Sequence, residues 1–151
     1  MKGDILPVTP QVRANARALL HHGGSPIGNS RVKLTNAADC EKRGLVKPGE
    51  SPLDAAARQL EADGVTILHT IGGDDTNTTA GDLAAHLKAD GFDMTVVGLP
   101  KTVDNDIRPI RQSLGALTAA QVGARFFDHV SNEQSATPNT FVASANCGLY
   151  C

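Results

Sequence analysis

Apolar and polar positions change their period several times along the 151 residues, and each change marks an element. Residues 10–21 place Val12, Ala16, Leu19 and Leu20 at helical spacing. Thr9-Pro10 supplies a cap residue and a proline suited to the first helical position, and Gly23-Gly24 ends the segment. Residues 25–33 and 44–50 read as polar, glycine-containing loops. Ser51-Pro52-Leu53-Asp54 starts a second helix, with Leu53, Ala56, Ala57 and Leu60 on one face and Gly64 as its stop. Residues 65–71 then run through Val, Thr and Ile in the manner of a strand buried on both faces. After Gly72-Gly73 the period returns to helical near Thr76, with Leu83, Ala84 and Leu87 on one side, until Gly91. Residues 94–99 read as the next strand, 112–129 as a helix with Leu117, Ala120, Ala124 and Phe127 on one stripe, and 140–143 as a last short strand.

Strands alternating with helices of this length imply βαβ units with right-handed crossovers. The expected fold is α/β, a three-layer, Rossmann-like parallel sheet flanked by helices, and the length suits a single domain over 1–151. A formal net charge of -2 gives no electrostatic reason to expect nucleic acid as a partner. Apolar runs such as Val96-Val97-Gly98-Leu99 are too short for a membrane span, and residues 1–7 hold no signal-peptide core. Cys40, Cys147 and Cys151 form no CxxC pair, so a reducing cytoplasm is the simplest reading and each thiol reads as a small apolar side chain. His69, inside the first strand, reads as a core histidine with a hydrogen-bonded ring.

Chemistry concentrates where the two strands should end. The turn Gly72-Gly73-Asp74-Asp75-Thr76-Asn77 joins a strand to a helix, and its glycines let backbone N–H groups approach a phosphate. Asp74 is placed to hold Mg²⁺, directly or through water. Asp75 repels an anion at the same turn and so limits how many phosphates fit there. The plainer alternative is that Asp74, Asp75 or Thr76 only caps the following helix. The second strand leads into Pro100-Lys101-Thr102-Val103-Asp104-Asn105-Asp106. There Asp104 suits a base for a substrate hydroxyl, Lys101 suits charge neutralisation on a transferring phosphoryl group, and Asp106 suits metal placement. A solvated turn is the plainer alternative for this loop.

These two segments resemble the signature loops of the phosphofructokinase family, most closely its pyrophosphate-dependent branch. Gly23-Gly24-Ser25-Pro26-Ile27-Gly28-Asn29-Ser30-Arg31 is similar to the donor-side segment of that family, and the likeness runs over about residues 8–142 in matching order. The resemblance implies a partial N-terminal donor and catalytic domain. It further implies Mg-dependent phosphoryl transfer between pyrophosphate and fructose 6-phosphate, a reversible glycolytic step. Asp104 would be the catalytic base and Asp74 the metal ligand. Gly73, Thr102, Asp104 and Asp106 would contact sugar, transferred phosphate or metal, and Arg31 would lie near the donor. Asp75 and Lys101 stand where ATP-using relatives carry glycines, one blocking nucleotide space and the other stabilising the transition state. A homo-oligomer is implied for the full-length enzyme.

Departures from the pattern are also visible. The opening Gly-rich loop of the family and its Met-Gly-Arg sugar segment find no counterpart, and residues 143–151 form an atypical tail. The chain therefore reads as an internal piece of such an enzyme. Alternatives are a catalytically incompetent fragment or binding subunit, and then an ATP-dependent 6-phosphofructokinase. The GGD turn also occurs in NAD kinases and diacylglycerol kinases, against which the Lys101–Asp106 loop argues.

Overall fold

The computed structural model describes residues 5–21 and 24–135. It divides into two compact units, with the boundary between Val65 and Thr66. The strand expected at 140–143, Cys147 and Cys151 lie outside the described residues.

The first unit is helical. Thr9 Oγ1 accepts from the Val12 N–H at 3.3 Å and starts α1, Pro10–Asn15, with Pro10 in its first turn. The chain then tightens into a 3₁₀ helix over Ala16–His21 instead of continuing as one α-helix. None of α1 is buried, and Val12 and Leu19 remain 38% and 39% exposed. A short helix without a buried face gains little from packing, which is where most helical stability originates. A helix not expected from the sequence, α2, spans Ala37–Lys42 and is capped by Asn36 Oδ1 on the Asp39 N–H. Its single buried residue, Cys40, joins Val46 and Ala55 in a small core on which Val32 and Leu45 pack. Burial pushes the Cys40 thiol up, the Asp39 charge adds to this, and Arg43 opposes it. Cys40 is therefore the small apolar side chain the sequence suggested. Ser51 caps α3, Pro52–Ala62, as expected, and Gly64, at φ +70°, follows its end. The loop between α2 and α3 is tied by two carboxylates: Glu41 Oε1 accepts from the Gly49 N–H, and Glu50 Oε2 from the Lys47 N–H. That N–H, with the neighbouring Arg58 and Lys47 charges, holds the Glu50 carboxyl below its ordinary range despite some desolvation.

The second unit carries the sheet. Strand β1, Ile67–Gly72, pairs in parallel with β2, Thr95–Pro100, in a register that runs from Ile67 opposite Thr95 to Gly72 opposite Pro100. The crossover helix α4, Asp74–Ala89, packs on both strands and buries Ala80, Leu83 and Leu87. A further helix, α5, spans Ala116–Ser135. This is the expected α/β arrangement with parallel pairing; the described residues form a two-stranded sheet.

Burial of β1 differs from the expectation. Its Leu68, Thr70 and Gly72 side faces α4, because a Cβ on Gly72 would run into the Thr76 side chain. Among the described residues nothing covers the opposite side, with Ile67 58% and Ile71 54% exposed and His69 exposed between them. His69 is thus not a core histidine here. An apolar run specifies a strand but not how many of its faces are covered. Helix α5 also begins later than its periodicity suggests. Ser113 and Leu114 are engaged elsewhere, and Gly115 at φ +89° cannot continue a right-handed turn. No helix among the described residues is long and apolar enough to cross a membrane.

Candidate active site

Parallel pairing with Gly72 opposite Pro100 brings the carboxyl ends of β1 and β2 side by side, and both acidic loops start there. Such strand ends are where open α/β sheets hold ligands. The loops touch directly. The Lys101 N–H donates to the Gly72 carbonyl at 2.7 Å, and a Cβ on Gly73 would lie 4.0 Å from the Thr102 Cβ.

The first loop leads straight into α4. Gly73 is its N-cap and makes no side-chain cap bond, while Asp74 and Asp75 occupy the first turn. Neither aspartate is the N-cap, since Gly73 holds that position. Both carboxylates are exposed, at the end of the helix where the macrodipole favours negative charge. One further residue holds the turn. Asn77 Nδ2 donates to the Gly72 carbonyl at 2.9 Å and the Gly73 carbonyl at 2.8 Å. Its Oδ1 lies 2.6 Å from where a Cβ on Gly98 would sit, so the mid-strand glycine of β2 leaves room for the Asn77 amide. The Gly72 carbonyl is thus shared by a backbone donor from the second loop and a side-chain donor from α4.

The second loop is closed on itself. Leu114 returns to β2, bridging Lys101 in parallel and donating its N–H to the Pro100 carbonyl at 2.9 Å. Within the loop, Thr102 Oγ1 accepts from the Asp104 N–H at 3.1 Å and donates to Asp104 Oδ2 at 3.3 Å. Asn105 adopts φ +52°, a left-handed conformation that asparagine tolerates better than most residues. Its Oδ1 accepts from the Ser113 N–H at 2.7 Å, its Nδ2 donates to the Arg111 carbonyl at 3.4 Å, and Ser113 Oγ donates to the Thr102 carbonyl at 2.5 Å. Thr102 and Asp104 are half-buried; Lys101 and Asp106 are exposed.

The structure therefore places Gly73, Asp74 and Asp75 at the start of α4 and Lys101, Thr102, Asp104 and Asp106 in the loop after β2, both following the paired carboxyl ends of β1 and β2. Arg31 belongs to the first unit and is exposed there. Asn77, Ser113 and the role of Asn105 were not foreseen. Gly98, a glycine inside a strand pattern, was the one sequence signal that could have pointed to Asn77.

The Phosphofructokinase family model matches residues 1–148, and the chain belongs to that family. It is 60% identical over 149 residues to a pyrophosphate–fructose 6-phosphate 1-phosphotransferase of Methylomonas methanica, covering 99% of this chain and 36% of that protein. A protein of the same name from Propionibacterium freudenreichii is 60% identical over 151 residues, covering all of this chain and 37% of the relative. An ATP-dependent 6-phosphofructokinase of Amycolatopsis methanolica is 31% identical over 138 residues, covering 91% of this chain and 26% of that protein. The chain thus spans little more than a third of the length of its most similar relatives among these.

Proposed function

We propose that this chain carries the donor and catalytic loops of a pyrophosphate-dependent phosphofructokinase, acting in glycolysis in the cytoplasm and working as a homo-oligomer in its full-length form. The observation that carries the proposal is the side-by-side placement of the Asp74 and Asp104 loops at the ends of paired parallel strands. The names of the relatives at 60% identity support pyrophosphate as donor, and so do Asp75 and Lys101. In the proposed reaction the Asp104 carboxylate takes the proton of the 1-hydroxyl of fructose 6-phosphate. That oxygen then bonds to a phosphorus of pyrophosphate, the bridging P–O bond breaks, and inorganic phosphate leaves. Lys101 offsets charge on the transferring group, while Asp75 narrows the space where a nucleotide's further phosphate would lie. The Gly73–Asp74 turn presents backbone N–H groups at a helix N-terminus to the donor, and Thr102 and Asp106 contact the reacting groups.

In this reading Asp74, with Asp106 on the neighbouring loop, would hold Mg²⁺, which takes hard oxygen ligands and is held by one or two carboxylates plus substrate phosphates. When bound, Mg²⁺ supplies neutralisation of phosphate charge. The remaining work of the protein is positioning and charge compensation.

A direct assay tests the proposal. The purified chain is incubated with fructose 6-phosphate and Mg²⁺, and either pyrophosphate or ATP is supplied. Turnover with pyrophosphate and none with ATP is expected. Turnover with ATP would refute the donor assignment. A folded chain inactive with both donors would favour the second reading, a non-catalytic piece or binding subunit, which the 36% coverage of the relatives makes worth separating.

A further inference from the structure

Ser113 stands out in the second unit. Among the described residues it is the buried polar one there, 2% exposed, yet it lies eleven positions beyond Thr102 and carries no charge to offer a substrate. Both of its donor groups turn back onto the catalytic loop. Its hydroxyl donates to the Thr102 carbonyl at 2.5 Å and its N–H to Asn105 Oδ1 at 2.7 Å. These are the two residues that flank the Val103-Asp104 pair. Thr102 in turn holds Asp104 twice, by accepting its N–H and by donating to its carboxylate. Ser113 thus fixes the Thr102 backbone through its carbonyl, and the side chain of that same residue holds the Asp104 carboxylate. Asn105 completes the arrangement in a left-handed conformation.

We infer that Ser113 and Asn105 form a latch that sets the position of the Asp104 carboxylate, making Ser113 a positioning residue for phosphoryl transfer. The inference rests on the reading of Asp104 as the base. Burial is what makes the latch effective. A hydroxyl away from water loses its partner at the full cost of an unmet donor, so one arrangement of the loop is strongly favoured. A general base must lie within hydrogen-bond reach of the proton it takes, and a small displacement of such a group carries a large cost in rate.

The test uses the full chain and three variants: Ser113→Ala removes the hydroxyl, Ser113→Thr keeps it, and Asn105→Gly removes the side-chain acceptor while tolerating the left-handed backbone. The readouts are amide hydrogen exchange at residues 102–106 and the Asp104 carboxyl carbon resonance by NMR. In Ser113→Ala and Asn105→Gly, exchange at Asp104 is expected to rise about tenfold with a moved carboxyl resonance, while amides of α4 keep their wild-type rates. Ser113→Thr is expected to restore both signals. Where the wild-type chain turns over, Ser113→Ala should lower kcat and leave KM for both substrates unchanged. An unmoved Asp104 resonance with wild-type exchange in Ser113→Ala, or in Asn105→Gly should Ser113→Ala not fold, would overturn the latch. Absence of turnover in the wild-type chain counts against the proposed reaction alone, because the NMR readouts need no catalysis.

Discussion

Replacement of Asp104 by alanine is expected to lower pyrophosphate-dependent turnover by about 10²- to 10⁴-fold, the range a positioned general base supplies. Its structural consequence should be small. The Asp104 N–H keeps its bond to Thr102 Oγ1, because that bond belongs to the backbone. What disappears is one half-buried carboxylate and its contact with the Thr102 hydroxyl, a contribution of about 1 kcal/mol. Initial rates measured beside a thermal unfolding curve check both halves. Asp104→Asn sharpens the comparison, since it keeps the shape and removes the basicity. A turnover within threefold of wild type in either variant, a loss of less than about 0.7 kcal/mol in barrier height, would remove Asp104 from the chemistry.

The second large effect concerns the donor. Asp75→Gly combined with Lys101→Gly is expected to reduce the pyrophosphate rate by about 10²- to 10³-fold, the scale of losing one preorganised charge at the reacting group. The loop contacts of Lys101 are made by its backbone. The link of Lys101 to the first loop is its N–H on the Gly72 carbonyl, and its link to Leu114 is a backbone bridge, so neither depends on the side chain. Asp75 sits exposed in the first turn of α4, where its charge contributes about 0.3–1 kcal/mol with the helix dipole. A thermal unfolding curve establishes that the double variant is folded, and its rates with pyrophosphate and with ATP are then compared directly. An unchanged pyrophosphate rate would refute the assigned roles of both residues.

Why the strands and their terminal loops were legible is clear from the residues. The β-branched run before Gly72 and the Val96-Val97 run before Pro100 allow little besides strand, and helical spacing between them forces a parallel crossover. Ser51-Pro52 and Thr9-Pro10 marked helix starts because capping chemistry is local. Helix α2 was not legible: six residues with one buried side chain produce no period. The open face of β1 was not legible either. Ile67 and Ile71 look the same in sequence whether or not another layer covers them. At the site, the charged residues announced themselves by composition. Asn77 and Ser113 did not, because they act through carbonyls four to eleven residues away, and an uncharged polar side chain carries no sign of which backbone it holds.

A backbone NMR titration of the chain with pyrophosphate in the presence of Mg²⁺ most directly tests whether the two loops act as one site. Amide resonances of residues 72–76 and 101–106 should shift together, with a common dissociation constant, and Asp74→Ala should weaken the shifts in both segments. Shifts confined to one loop, or two segments saturating at different concentrations, would contradict a shared phosphate site at the ends of β1 and β2.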